Sequence, residues 1–233
     1  MFNGAGEFIL LDGLKRISIF VGYFGSGKTE TALNYAIWIK EMGKKVTVVD
    51  LDLINPYFRT RQVKKCFEEK GIKVVSPEGK LANADIPALP PAIYGVLESA
   101  DGYGVFDVGG GDIGAVALAR FKNNLPDGAF NLFLVVNTCR PYSSDAESIT
   151  SIARDIERTS RLKVSALVSN ANLGPETDVT IIREGHRIIS AAAALLDLPV
   201  AFISARPDLA EVLGEMDVPV LPLKLFMKTP WQQ

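Results

Sequence analysis

The chain has 233 residues, with 25 Lys and Arg against 27 Asp and Glu and a formal net charge of −2. This length suits one large domain, so we expect a single domain spanning residues 1–233. The even charge, without a long basic or acidic run, does not indicate a nucleic-acid-binding or membrane-binding surface. The two cysteines, Cys66 and Cys139, form no CxxC pattern, and neither a leader peptide nor a membrane-spanning stretch is recognisable. A reducing cytoplasm fits these features best.

Short apolar runs rich in β-branched residues alternate with longer helical patterns. The predicted strands are Ile17–Val21, Val46–Val49, Ile72–Val75, Gly104–Phe106, Leu132–Val136, Val164–Val168 and Val200–Ile203. The predicted helices are Thr29–Met42, Asn55–Lys70, Ala92–Ser99, Gly114–Lys122, Ser144–Thr159, Asp178–Leu196 and Pro207–Leu213. Ser144 and Glu147 have the spacing of a capping box. Strands of this kind are covered on both faces, and their alternation with helices indicates parallel pairing.

The segment from Gly22 to Thr29 matches the phosphate-binding pattern G-x-x-x-x-G-K-[ST]. It lies directly between a predicted strand and a predicted helix, which is the context that makes this motif specific. Its glycines allow backbone N–H groups to converge on phosphate oxygens at a helix N-terminus. We expect Lys28 to reach the β- and γ-phosphates and the Thr29 hydroxyl to ligate Mg²⁺. The residues predicted to bind the nucleotide in this segment are Gly22, Gly25, Ser26, Gly27, Lys28, Thr29 and Glu30.

Carboxylates follow two other predicted strands, at the sheet edge where ligands bind. Asp50 and Asp52 are two positions apart, and such residues lie on the same face of a strand. Both are therefore predicted to face the phosphates, unless one of them caps the following turn. We expect one to hold a Mg²⁺-bound water and the other to position or polarise the attacking water. Asp107 is placed to hold Mg²⁺ through water. The glycines at 109–111 allow the backbone to approach the γ-phosphate and to move when it leaves, while Asp112 either caps the next helix or acts in catalysis.

At these residues the chain resembles the MinD/ParA group of P-loop ATPases, which includes CooC-like metal-insertion ATPases and CobQ/CobB-like amidotransferase domains. The resemblance covers roughly residues 15–215 and implies a three-layer α/β/α P-loop NTPase fold with a mostly parallel sheet of about seven strands. It implies that Asp52 orients the attacking water, that Asp50 assists it, and that the amide of Asn170 contacts adenine. The segment 169–172 lacks the N-K-x-D pattern of guanine-binding relatives, which favours ATP.

The chain differs from the closest members of that group at Tyr23, where they carry a second lysine in a K-G-G-x-G-K pattern. That lysine reaches across a nucleotide-sandwich dimer. Arg59, Arg61 and Arg140 are candidates to supply the missing charge, although each fits a solvated surface position equally well. Tyr23 and Phe24 are instead candidates for a hydrophobic contact with a second copy or another partner.

The resemblance implies a slow ATPase that acts as a switch. Hydrolysis of Mg²⁺–ATP would reorganise the segments 50–60 and 107–115 and thereby bind or release a protein client or a second copy. Three alternatives stay open. A synthetase like CobB or dethiobiotin synthetase would activate a small carboxylate in a pocket lined by the loop 76–91. A GTPase metallochaperone would prefer GTP and share a metal between subunits, and a nucleotide sensor would bind ATP without turnover.

The segment Leu221–Trp231 is weakly similar to the short membrane-binding helix of some members of the group. Pro222 and Pro230 limit any such helix to about two turns, which gives marginal membrane affinity. We therefore expect Leu225, Phe226 and Trp231 to pack onto the body of the protein.

Overall fold

A single parallel sheet forms the centre of the molecule. The computed structural model describes residues 14–52, 60–76, 91–125 and 128–227. The strands in these ranges are β1 (Ile17–Val21), β2 (Val46–Leu51), β3 (Lys73–Val75), β4 (Tyr103–Val108), β5 (Phe130–Val136), β6 (Ala166–Ser169), β7 (Val200–Ala205) and β8 (Val220–Pro222). They lie in the order β3-β2-β4-β1-β5-β6-β7-β8, and all their pairings are parallel. β4 therefore lies between β1 and β2.

Helices cover both faces of this sheet. Their bounds are α1 (Lys28–Glu41), α2 (Thr60–Glu69), α3 (Ala92–Glu98), α4 (Gly111–Ala119), α5 (Ala146–Ser160), α6 (Val179–Leu196) and α7 (Pro207–Val212). One core layer includes Ile93 of α3, Leu118 of α4 and Ile189 of α6. The other includes Leu33 of α1 and Phe67 of α2. The predicted three-layer α/β/α fold with a parallel sheet is thus confirmed.

The strand β1 shows why the apolar runs are continuous. All five of its residues are buried. Ile19 belongs to the core layer of α3 to α6, whereas the next residue, Phe20, belongs to the layer of α1 and α2. Successive side chains of a strand point to opposite faces, so a strand covered on both sides needs apolar residues at every position. This burial fixes the end of β1, where the phosphate-binding motif begins.

The structure corrects the predicted boundaries in several places. The sheet has eight strands rather than about seven in the described residues. The additional strand, β8, has three residues and ends with Pro222 at the sheet edge, so it gives no clear strand pattern. The N-cap of α5 is Asp145, whose carboxylate accepts from the N–H of Ser148, so Ser144 does not cap this helix. Helix α4 begins at Gly111, and Asp112 therefore lies inside it.

The C-terminal segment agrees with the expectation only in part. Residues 223–227 continue from β8 without forming a helix. Leu225 is 68% exposed, so its expected packing onto the body was wrong, whereas Phe226 does pack against the core layer of α1 and α2. Trp231 and the predicted helix start at Asn55 lie outside the described residues. None of the helices in the described ranges combines the length and apolar character needed to cross a bilayer.

The aromatic centre of the core gives a test of the fold. Phe133 of β5 is 2% exposed and contacts the rings of Phe20, Tyr35 and Phe202. Phe133→Ala should lower the free energy of unfolding by about 3 to 5 kcal/mol, because it removes buried apolar area and leaves a cavity. Urea unfolding measures this change. Phe24→Ala is the matched control, since Phe24 is 70% exposed, and an equal loss in both variants would contradict the described core.

Candidate nucleotide-binding site

The segment between β1 and α1 forms a loop around the N-terminus of the helix. Gly25 and Gly27 have positive φ angles of 76° and 85°, which glycine adopts without steric cost. The N–H of Thr31 donates to the carbonyl oxygen of Gly27 at 3.0 Å and opens the helical hydrogen-bond ladder. The N–H groups of Lys28, Thr29 and Glu30 precede that ladder. Together with the positive end of the helix dipole, they fit the phosphate groups of a nucleotide.

Asn170 holds this loop from the end of β6. It is 3% exposed, and its Nδ2 donates to the Ser26 carbonyl oxygen at 2.7 Å. The hydroxyl of Ser204 donates to Asn170 Oδ1 at 2.8 Å. A Cβ built on Gly27 would lie 2.1 Å from Asn170 Nδ2, so the loop and the amide need a glycine between them. Each polar atom of the Asn170 side chain thus has a protein partner, while Nδ2 keeps one further hydrogen and Oδ1 one further lone pair. The contact of this amide with adenine stays a prediction.

Asn137 is a buried residue of the site that the sequence analysis missed. Its Nδ2 donates to the carbonyl oxygens of Asn172 at 2.9 Å and of Gly25 at 3.4 Å. Its Oδ1 accepts from the N–H groups of Cys139 and Asn172, each at 3.0 Å. One amide therefore joins the ends of β5 and β6 to the phosphate-binding loop. The sequence does contain a signal for Asn137, because this polar residue directly follows an apolar strand.

Asp107 lies at the end of β4, between the other two strands of the site. In the parallel pairing its partners are Phe20 of β1 and Asp50 of β2. It is 1% exposed, and the side chains that act on its carboxylate are Lys28, Thr29 and Asp52. Burial is the largest of the effects that raise the pKa of Asp107 to about 6, and the nearby Asp52 carboxylate also raises this pKa. The Lys28 ammonium and the Thr29 hydroxyl lower it, but by less. A buried carboxylate in this position fits a divalent cation, which prefers such oxygen ligands.

Two further carboxylates lie beside the same centre, at Asp50 near the end of β2 and at Asp52 directly after the strand. Asp50 is 1% exposed and Asp52 is 5% exposed. Asp50 Oδ1 accepts from the N–H of Asp52 at 3.0 Å, so this oxygen takes the turn-capping role that the sequence left open. A Cβ built on Gly109 would lie 2.9 Å from Asp52 Oδ1, and one on Gly110 would lie 3.5 Å from Lys28 Nζ. The backbone after Asp107 therefore passes between Asp52 and Lys28.

Glu30 makes its side-chain contacts away from the loop. Its carboxylate oxygens accept from the backbone N–H groups of Phe226 at 3.0 Å and Met227 at 2.7 Å. Burial raises the pKa of Glu30, the N–H groups of Met227 and Phe226 lower it, and the nearby Asp107 raises it. The part of Glu30 in nucleotide binding stays a prediction, and its backbone N–H is the group left to make that contact.

Aromatic residues and an arginine form the outer rim of the loop. The Nε of Arg140 donates to the Gly25 carbonyl oxygen at 3.2 Å. The ring of Tyr23 stacks on Tyr142 with centroids 6.2 Å apart, while Phe24 is 70% exposed. Arg59 and the side chain of Arg61 lie outside the described residues. Of the three candidates for the missing positive charge, Arg140 is therefore the one that the structure places beside the loop.

Comparisons with known proteins find similar structures but no similar sequences. No protein-family model matches the chain, and no curated protein matches it significantly. Cell division protein FtsY from Thermotoga maritima superposes with a TM-score of 0.55 and 18% identity, covering 85% of this chain and 64% of that one. FlhF complexed with GTP and Mg²⁺ gives 0.55 and 18%, covering 82% and 66%. Signal Recognition Particle 54 kDa protein from Aeropyrum pernix K1, complexed with GDP, gives 0.54 and 20%, covering 82% and 41%.

This similarity concerns the fold. The chain shares a P-loop NTPase-like fold with FtsY, FlhF and the 54 kDa protein, and it spans less than two thirds of the length of each of these chains. At 20% identity or less, the superpositions do not transfer a substrate or a partner. The narrower resemblance to the MinD/ParA group stays a hypothesis.

The space around Gly27 gives a test of the loop. Gly27→Ala places a Cβ against Asn170 at a positive φ, so it should displace the loop and abolish nucleotide binding. Gly43→Ala is the matched control, because Gly43 has a φ of 75° but no atom within 4 Å of the new Cβ. Both variants should lose about 1 to 2 kcal/mol of stability from the left-handed conformation. Titration calorimetry with Mg²⁺–ATP and Mg²⁺–GTP should show a binding defect in Gly27→Ala alone, and unimpaired binding by that variant would contradict the described contact.

The pKa of Asp107 gives a test of its burial. The folded value of about 6 lies above the roughly 3.9 of an unfolded chain. The folded protein therefore binds this proton more tightly, and the stability it contributes is present at low pH and is lost as pH rises through about 6. The loss is at most about 3 kcal/mol. Asp107→Asn avoids this loss of stability, because an amide does not ionise. The variant should therefore be more stable than wild type at pH 8 but not at pH 4. Urea unfolding without nucleotide or divalent cations checks this, and the same difference at both pH values would refute it.

Proposed function

We propose that this chain is a Mg²⁺-dependent nucleotide switch that binds ATP and hydrolyses it slowly. The observation that carries the proposal is the buried Asp107 carboxylate, which lies close to Lys28 and Thr29 at the N-terminus of α1. A phosphate-binding loop needs a cation opposite it to balance the triphosphate charge. Lys28, Thr29 and Asp107 together supply the groups that a bound triphosphate and its cation require.

The proposed roles follow from the positions of the side chains. Lys28 neutralises the β- and γ-phosphates, and the N–H groups of the loop orient them. Thr29 and Asp107 hold Mg²⁺, with Asp50 assisting, and the bound cation neutralises the charge that develops on the transferred phosphoryl group. Asp52 orients the attacking water beside Gly109. Asp50 fixes the backbone of Asp52 through its hydrogen bond to the Asp52 N–H.

The switch would act through the backbone at Gly109 and Gly110. A Cβ built on Gly109 would lie 2.9 Å from Asp52 Oδ1, and one built on Gly110 would lie 3.1 Å from the Phe24 nitrogen and 3.5 Å from Lys28 Nζ. Glycines allow this backbone to change conformation when the γ-phosphate leaves. Phe24 and Tyr142, which are 70% and 73% exposed, lie on the rim of the same loop and offer an apolar contact. A protein client or a second copy of the chain would bind there according to the nucleotide state.

ATP is the proposed nucleotide because amides, not carboxylates, follow β6. Guanine presents N–H donors, for which a carboxylate is a suitable acceptor. The segment after β6 has Asn172 instead, and its Oδ1 already accepts from the Gly174 N–H and the Thr177 hydroxyl. Asn170 would contact adenine with its remaining hydrogen-bonding capacity. GTP is the second candidate, and the structures of FlhF with GTP and Mg²⁺ and of the 54 kDa protein with GDP favour it. The even charge and separate cysteines favour a cytoplasmic location.

Binding and turnover of both nucleotides test the proposal. Wild type should bind Mg²⁺–ATP more tightly than Mg²⁺–GTP and hydrolyse it slowly. Lys28→Ala should lose binding at least about tenfold, since it removes a direct charge contact with phosphate. Lys44→Ala, at an exposed lysine just after α1, is the matched control. Asp52→Asn should keep binding but lose turnover by about 100-fold or more.

Each result separates one part of the proposal. Preferential binding of GTP would overturn the assignment of the base. Wild-type turnover by Asp52→Asn would overturn the role of Asp52. Failure of wild type to bind either nucleotide would overturn the proposed function as a whole.

A further inference from the structure

The segment Lys224–Met227 follows β8 without regular secondary structure and contacts α1. Asn34 Nδ2 donates to the Lys224 carbonyl oxygen and Asn34 Oδ1 accepts from the Lys224 N–H, both at 2.8 Å. The Glu30 carboxylate accepts from the N–H groups of Phe226 and Met227. Glu30 and Asn34 are four residues apart and therefore lie on one face of the helix. Two side chains of α1 thus bind the backbone of this segment at both of its ends.

Glu30 connects this segment directly with the phosphate-binding loop. Its backbone N–H belongs to the first turn of α1, where the helical ladder has not yet begun and a phosphate is expected. Its side chain binds the C-terminal segment. Because one residue makes both contacts, fixing the first turn of the helix also fixes the carboxylate that holds the segment.

The same segment also touches α2, which shares a core layer with α1. The ring of Phe226 packs against Phe67 of α2 with centroids 5.3 Å apart and planes at 76°. Helix α2 begins at Thr60, eight positions after Asp52. The C-terminal segment therefore bridges α1, which begins in the loop, and the helix that follows the carboxylates of β2.

We propose that Lys224–Met227 is a strap whose attachment is coupled to the nucleotide. Binding of Mg²⁺–ATP tightens the strap on α1, and loosening the strap weakens the binding of Mg²⁺–ATP by the same factor, because coupling between two sites is reciprocal. The inference rests on the proposed function. Its physical basis is that the phosphate and the strap both require an ordered first turn of α1, so whichever binds first has already ordered it for the other.

Release of the strap would change the surface of the protein. Phe67 is fully buried, and Phe226 covers part of its ring. Detachment of Phe226 exposes that aromatic surface beside α2. The strap would thereby link the state of the nucleotide site to the surface around Phe67 of α2.

Amide hydrogen exchange on the full chain tests the coupling directly. The N–H groups of Phe226 and Met227 donate to Glu30, so their exchange rates report the attachment. Saturating Mg²⁺–ATP should slow both by about fivefold or more, the lower end of ordinary coupling between sites. Asn34→Ala should weaken Mg²⁺–ATP binding by a similar factor, although Asn34 does not belong to the phosphate-binding loop. Asn123→Ala, at an exposed asparagine after α4, is the matched control and should bind as wild type.

The outcomes separate the strap from the proposed function. If wild type binds Mg²⁺–ATP and the exchange of the two amides does not change, the strap is wrong and the nucleotide switch stands. If wild type binds neither ATP nor GTP, both fail. The exchange measurement uses the wild-type chain, so it does not depend on the folding of a variant. Phe226→Ala, at a half-buried residue, serves as the second variant if Asn34→Ala does not fold.

Discussion

The burial of Asp107 at the end of β4 is the constraint on which the site depends. A carboxylate in such surroundings is costly to ionise unless positive charge is nearby, and here Lys28 compensates only in part, since the pKa stays raised to about 6. Groups with a strongly perturbed pKa in a polar cluster are typical of functional sites. Binding of the proposed cation would lower this cost, so Asp107 would favour the cation-bound protein.

The loop beside Asp107 is held by amide side chains in addition to its own hydrogen bond from the Ser26 N–H to the Tyr23 carbonyl oxygen. Asn170 and Asn137 donate to the carbonyl oxygens of Ser26 and Gly25, so two backbone acceptors of the loop are fixed by side chains from the ends of β6 and β5. Gly27 has no room for a side chain beside Asn170. Preorganisation of this kind means that a bound phosphate meets donors that are already oriented, and little ordering is required on binding.

The sequence predicted the parts of the structure that local patterns determine. The strand–loop–helix context of the motif, and the meeting of Asp50, Asp52 and Asp107 at one sheet edge, follow from the geometry of parallel strands. Contacts between distant segments were not predictable in this way. The hydrogen bond from Phe226 to Glu30 joins residues 196 positions apart, and nothing in either segment alone indicates it. The edge strand β8 was missed because its three residues, the last of them Pro222, give no clear strand pattern. The Asp145 cap was missed because the neighbouring Ser144 fits the same local pattern.

Proton release on binding is the most direct test of the central claim that Asp107 holds the cation. Titration calorimetry of Mg²⁺–ATP at pH 6, in buffers of different ionisation enthalpy, measures the protons released. With a pKa of about 6, Asp107 is about half protonated in the empty protein and must lose that proton to bind the cation. Wild type should therefore release about half a proton more than Asp107→Asn. Equal proton release by the two proteins would contradict the assignment of Asp107 to the cation.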